Sequence, residues 1–145
     1  MSVRARIPAI ARTLLGLAFV VFGLNYFLHF LPQPTMPADA MAFGGALTAG
    51  KIMSITKPIE IAAGLALLGN RFVPLALTLL APIEIGILAF HVALEPSGLP
   101  LIVILIALTI YLAWSYRSAF APMLRPRVEP TTGEAVAAAH RTAAA

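Results

Sequence analysis

The sequence predicts an all-α fold, a four-transmembrane-helix bundle with both termini in the cytoplasm. Three observations support this prediction. Hydrophobic residues make up 60% of the 145-residue chain and charged residues only 11%, whereas soluble domains are about 45–50% apolar and about 25% charged. Apolar stretches occur four times, at lengths close to the ~20 residues that cross a bilayer. Arginines are concentrated at alternate junctions between these stretches.

The same composition disfavours a soluble enzyme, a disordered chain and a disulfide scaffold. A soluble domain this short keeps much of its surface in water and cannot hide so many apolar side chains. The chain has no cysteine, so it cannot by itself form a cysteine-ligated zinc site, an iron–sulfur cluster or a CxxC relay.

Four apolar stretches are the predicted spans, and they define one membrane domain over residues 1–124. Turn-forming residues lie between the last three stretches, and an outward loop, 32–51, follows the first. Its small apolar residues are compatible with a lid, an interfacial helix or a plain connector. Residues 125–145 are polar and then alanine-rich, which predicts a mobile cytoplasmic tail. The spans are Thr13–Leu31, Ile52–Leu68, Phe72–Leu94 and Leu99–Tyr116.

Basic residues set the predicted orientation. Arginines lie before the first span, between the second and third spans, and after the fourth, whereas the other junctions carry only Lys51, Asp39 and Glu95. The positive-inside rule therefore places both termini in the cytoplasm. The net charge of +4 is then an orientation signal, and no nucleic-acid partner is expected. A cleavable signal peptide is the competing interpretation of the N-terminus, but the first apolar stretch is too long for one.

Six polar side chains interrupt the predicted spans, and ionisable groups in hydrocarbon are costly enough to indicate function. Three spans contain two of these polar residues each, and helical spacing places the two residues of a span on one face of its helix. With ~1.5 Å of rise per residue, all six lie in the outer half of the bilayer. We therefore predict one polar pocket that opens outward. The six residues are Asn25 and His29 in span one, Lys57 and Glu60 in span two, and Glu84 and His91 in span three.

Within that pocket, Lys57, Glu60, Glu84 and His91 are the predicted catalytic group. One lysine cannot neutralise two ionised glutamates, an imbalance typical of proton relays and acid–base sites. A structural interpretation stays open, in which Lys57 neutralises a glutamate and the other groups bond between helices. A copper ion shared by His29 and His91 is a further alternative with nonspecific spacing, and no metal site is predicted.

Three segments of the sequence resemble the DoxX family of small four-span membrane proteins. They are LLGLAFVVFGLNYF in span one, KPIEIAAGLALLGNR in span two with its following turn, and the third span ending in AFH. Many members have a lysine near the position of Asn25, so a shared ligand role for Asn25 does not follow from the resemblance. The family is named for subunits of a thiosulfate:quinone oxidoreductase.

The resemblance implies an accessory or quinone-interacting subunit of a redox complex in the bacterial inner membrane. A quinone is the implied cofactor. Asn25, His29 and His91 of the predicted pocket are the residues that we expect to bind it, and redox-complex subunits or further copies of the chain are the expected protein partners. Two other function classes stay open. One is a small proton-coupled transporter or channel subunit that uses the same carboxylates, and the other is a purely structural or assembly protein in the lipid bilayer.

Overall fold

A computed structural model describes residues 3–32 and 34–128 of the chain, with side chains from residue 6 onward. In that part of the chain every regular element is helical, which confirms the all-α prediction. Two 3₁₀ turns, Pro96–Gly98 and Ala121–Leu124, accompany the helices. Most of the predicted tail, 129–145, lies outside the described residues. The α-helices are α1 (Val3–Leu28), α2 (Ala38–Ala49), α3 (Ile52–Leu68), α4 (Val73–Ala93), α5 (Leu99–Ser115) and α6 (Arg117–Phe120).

Three helical segments are long and apolar enough to cross a membrane. They are Arg6–Leu28, Val73–Ala93 and Pro96–Ser115, and they correspond to the first, third and fourth predicted spans. The chain is therefore compatible with a multi-pass membrane protein. The second predicted span, Ile52–Leu68, is a continuous helix with the predicted bounds, but its 17 residues fall short of the ~20 that a span usually needs.

Helix α1 differs from the predicted first span at both ends. It begins at Val3 because the arginine-rich segment before Thr13 also forms helix, although hydropathy does not mark it. It ends at Leu28 because His29 takes the left-handed conformation, with φ 51°. The predicted outward loop contains a helix of its own, the twelve-residue α2.

Helices α1 and α3 pack antiparallel and close together through glycine. A Cβ on Gly64 would lie 2.8 Å from the carbonyl oxygen of Gly16, and one on Gly23 would lie 2.6 Å from the side chain of Ile61. Glycine is therefore needed at this crossing, as in other close helix contacts in membranes. The contact between α1 and α3 extends to the other end of α1, where the Tyr26 hydroxyl lies 3.3 Å from the Ser54 hydroxyl.

The apolar core is formed by the N-terminal part of α1, the end of α3, the first half of α4 and, along most of its length, α5. Its members recur at helical spacing on these four helices, whereas the polar residues of α1 and α3 lie toward the other ends of those two helices. Outside the core, all four helices expose large apolar side chains, as lipid contact requires. The core residues are Ala11, Leu15, Phe19, Ala63, Leu67, Val73, Ala76, Leu77, Leu80, Ile102, Leu105 and Leu112.

Candidate functional site

An open cleft of about 400 Å³ lies beside the end of α1 and the first turns of α3, and helix α2 forms part of its wall. Three of the six polar residues predicted from the sequence line the cleft. The lining residues are Phe22, Asn25, Tyr26, His29, Thr48 and Lys57.

Asn25 and His29 reach the cleft because of how α1 ends. The left-handed conformation of His29 stops the helix, and the Asn25 side-chain oxygen accepts a hydrogen bond of 2.7 Å from the backbone N–H of Leu31. That bond fixes the orientation of the amide, since its oxygen is already used. The Asn25 NH₂ group remains to donate into the cleft, beside the His29 imidazole.

Lys57 and Glu60 form an ion pair one turn apart on α3. The ammonium nitrogen of Lys57 lies 2.9 Å from each carboxylate oxygen of Glu60, and the side chains are 13% and 3% exposed. An ammonium group carries three protons, so two bonds to Glu60 leave one N–H for a ligand. Lys57 therefore connects the cleft to a buried carboxylate behind it.

Two further polar side chains belong to this cleft, Tyr26 and Thr48, and neither was predicted from the sequence as a site residue. Tyr26 comes one position after Asn25, and its hydroxyl contacts Ser54. Thr48 comes from α2, and its hydroxyl donates to the Gly44 carbonyl at 2.9 Å, which leaves its lone pairs to accept. Tyr26 follows Phe22 by four residues, so both side chains lie on one face of α1. That spacing could have indicated that Tyr26 lines the same surface as Phe22. Nothing in the sequence places Thr48 beside Lys57.

Glu84 is buried elsewhere in the bundle, at 2% exposure. Its Oε1 accepts a 2.7 Å hydrogen bond from the Thr109 hydroxyl, which joins α4 to α5 at mid-helix. Thr109 is thus more than a packing residue, because it supplies a buried carboxyl group with a donor from a neighbouring helix.

His91 belongs to a third polar group, at the turn between α4 and α5. Its Nδ1 lies 2.9 Å from the backbone oxygen and 2.8 Å from the carboxylate of Glu95. Both partners are acceptors, so Nδ1 carries the proton. Gly98 lies directly against the imidazole, and a Cβ at that position would overlap the ring.

Glu95 is the buried centre of this turn, at 7% exposure. It accepts hydrogen bonds from the Ser97 hydroxyl and, at 3.1 Å, from the backbone N–H of Gly98. The Ser97 hydrogen bond, followed by the contacts with Gly98 and His91, holds the pKa of Glu95 below its ordinary value. Donors that favour the carboxylate over the neutral acid have this effect.

The six predicted residues are therefore distributed over three places. Asn25, His29 and Lys57 meet at the cleft, with Glu60 behind Lys57. Among the described residues, no hydrogen bond or ion pair connects that group to Glu84 or to His91. The same part of the chain contains no cluster of three or more histidine or acidic side chains placed to hold a metal ion.

Comparisons with known proteins add no assignment to this geometry. No protein-family model matches the chain, and neither does any curated protein or any solved structure. The similarity to the DoxX family stays a prediction from the quoted segments.

Proposed function

We propose that this chain is a four-span subunit of a membrane redox system and that its cleft binds the head group of a quinone. One observation carries the proposal: the cleft brings hydrogen-bond donors of Asn25 and Lys57, from two different helices, to one place at the end of an apolar bundle. Quinone carbonyls are acceptors, and the cleft offers them these donors beside the ring of Phe22. The DoxX resemblance points to the same class of ligand.

In this proposal each cleft residue has a role set by its contacts. The free N–H of Lys57 and the Asn25 amide bind the carbonyl oxygens, and His29 is placed to bind the same head group. Reduction of a quinone to a quinol consumes two electrons and two protons. A partner redox subunit supplies the electrons, and the two protons come from water at the membrane surface. Glu60, which contacts the Lys57 ammonium, passes protons to the bound quinone through Lys57.

The packing of α3 supports its assignment as a membrane span, the second of four along the chain. Contacts with α1 run from Ser54 opposite Tyr26 to Leu68 opposite Gly16, so α3 lies alongside α1 through nearly its whole length. Ile55 is 66% exposed and Leu65 is 55% exposed, as expected of a surface that faces lipid. With α3 in the membrane, the arginine distribution puts both termini in the cytoplasm and the cleft in the outer leaflet. The bacterial inner membrane is the location that the resemblance implies.

A structural role is the second candidate, and the Lys57–Glu60 pair is the observation that favours it. Both charges are satisfied within one helix turn, as in a buried pair that serves only to let α3 insert. Proton-coupled transport, the third class, would require the carboxylates to be linked. No polar contact among the described residues links Glu60 to Glu84.

Quinone retention through purification tests the proposal and separates it from the structural role. The protein is purified from its native membranes in mild detergent, and the bound quinone is extracted and quantified by mass spectrometry. We expect the wild-type protein to retain quinone above the level in matched lipid controls and Lys57→Met to lose it. Lys51→Met is the matched control, because Lys51 is the chain's other lysine and lies outside the cleft.

Two results would contradict the quinone assignment. One is a wild-type protein with no quinone above the lipid background. The other is equal retention by Lys57→Met and Lys51→Met when both variants insert and purify normally. Glu60→Gln then tests proton exchange separately, since it keeps the shape of the side chain and removes its charge. Redox turnover in the native complex should fall in this variant, and unchanged turnover at every pH would make Glu60 structural.

A further inference from the structure

Helix α2 is the element that the proposed function leaves unexplained. It is too short to cross a bilayer, since twelve residues extend only ~18 Å against a hydrocarbon core of ~30 Å. It is nevertheless apolar, with Asp39 in its first turn as its one charged residue. A helix with this composition has little reason to stand in water above the bundle.

The bundle contacts α2 at three positions along its length. Ala40 is fully buried, and the Phe43 ring stacks on Phe90 of α4 with the ring centroids 5.9 Å apart. Thr48, near the other end of the helix, lines the cleft beside α1 and α3. Helix α2 therefore lies between α4 and the cleft rather than projecting away from the bundle.

The exposed side chains of α2 are apolar, as are those of its neighbours. Met41 is 55% exposed and Phe43 is 45% exposed. Leu28 at the end of α1, Phe30 just after it and Ile52 at the start of α3 are 65%, 52% and 51% exposed. Apolar side chains exposed in this number mark a surface that contacts a partner. The three membrane-length helices expose large apolar side chains as well, so lipid is the occupant that the fold supplies.

We propose that α2 is an interfacial helix, embedded with Met41 and Phe43 in the lipid of the leaflet that contains the cleft. Interfacial helices bury their apolar side chains about 5–10 Å into the headgroup and acyl boundary. Helix α2 forms the Thr48 side of the cleft, so this placement sets the rim of the cleft at membrane depth. A ligand then enters sideways from the bilayer, which selects molecules with an apolar tail and a polar head.

The statement about the ligand rests on the proposed function, whereas the placement of α2 does not. A measurement on the helix alone therefore separates the two. The chain has a single tryptophan, Trp114, so Trp114→Phe gives a background for one reporter at a time. Met41→Trp reports on the exposed flank. Ala42→Trp is the matched control, because Ala42 is exposed and, at ~100° per residue, lies on the side of the same helix opposite the buried Ala40.

The probe is the full chain in phosphatidylcholine vesicles whose acyl chains carry bromine either near the head group or near the terminal methyl. We expect the Met41→Trp fluorescence to be quenched more strongly by the shallow bromine than by the deep one. We also expect it to be shielded from acrylamide in the water relative to Ala42→Trp. Equal acrylamide quenching of the two reporters, with no bromine quenching of Met41→Trp, would overturn the proposal. That result would leave the quinone-retention test unaffected.

Discussion

The crossing of α1 and α3 gives the sharpest stability prediction, through the substitution Gly64→Ala. The added Cβ would lie 2.8 Å from the Gly16 carbonyl oxygen and 2.8 Å from a methyl carbon of Val20, whereas ordinary contacts begin at 3.4 Å. The helices must therefore separate by about 0.6 Å, which is 3.4 minus 2.8 Å. A backbone carbonyl cannot rotate away as a side chain can, and overpacking of this kind costs about 1–3 kcal/mol.

Gly86→Ala is the matched control for this prediction. Gly86 also lies inside a helix, but a Cβ there would meet no other atom within 4 Å. Both variants gain the same helix propensity, roughly 0.5–1 kcal/mol, so the difference between them isolates the crossing. Unfolding by sodium dodecyl sulfate in mixed micelles, followed by circular dichroism, should show Gly64→Ala to be less stable than Gly86→Ala by about 1–3 kcal/mol. Equal stability of the two variants would refute the close packing of α1 on α3.

Three further predictions concern the other polar groups. Thr109→Val should lower the free energy of unfolding by about 1–3 kcal/mol because it leaves the buried Glu84 carboxyl without its donor, whereas Thr109→Ser should be near wild type in the same micelle titration. Gly98→Ala should displace the imidazole of His91 and change its NMR resonances, and unchanged resonances would contradict the contact. The pKa of Glu95 is lowered in the folded state, so its stabilisation is complete above the unfolded value of about 4.3 and is lost as the pH falls through the folded value. Acidification below about pH 4 should therefore lower the thermal midpoint of the wild type more steeply than that of Glu95→Gln.

The sequence predicted the long helices well because hydropathy and turn residues mark their ends. Helix α3 has the predicted bounds, and α4 and α5 differ from the predicted spans by one residue at one or both ends. The start of α1 was missed because helix can continue into arginine-rich sequence that lies outside hydrocarbon. Whether residues 32–51 contain a helix was left open, since small residues such as Gly44 and Gly45 give no clear periodicity and have low helix propensity.

The polar site was predictable only where the partners share a helix. The spacing of Lys57 and Glu60 placed them on one face, and they form an ion pair. Contacts between helices depend on rotation and depth, which the sequence does not specify. The carboxyl of Glu84 therefore has a partner on α5, Thr109, and His91 contacts the turn that follows its own helix.

Topology is the central claim, because the proposed position of the cleft depends on α3 crossing the membrane. The chain has no cysteine, so single cysteines at Asp39, Asn70 and the exposed Ser97 can be labelled one at a time in intact cells with an impermeant thiol reagent. Four spans with cytoplasmic termini predict that positions 39 and 97 react from outside and that position 70 reacts only after permeabilisation. Labelling of position 70 from the same side as position 39 would show that α3 does not cross the membrane, and would contradict both the orientation and the placement of the cleft.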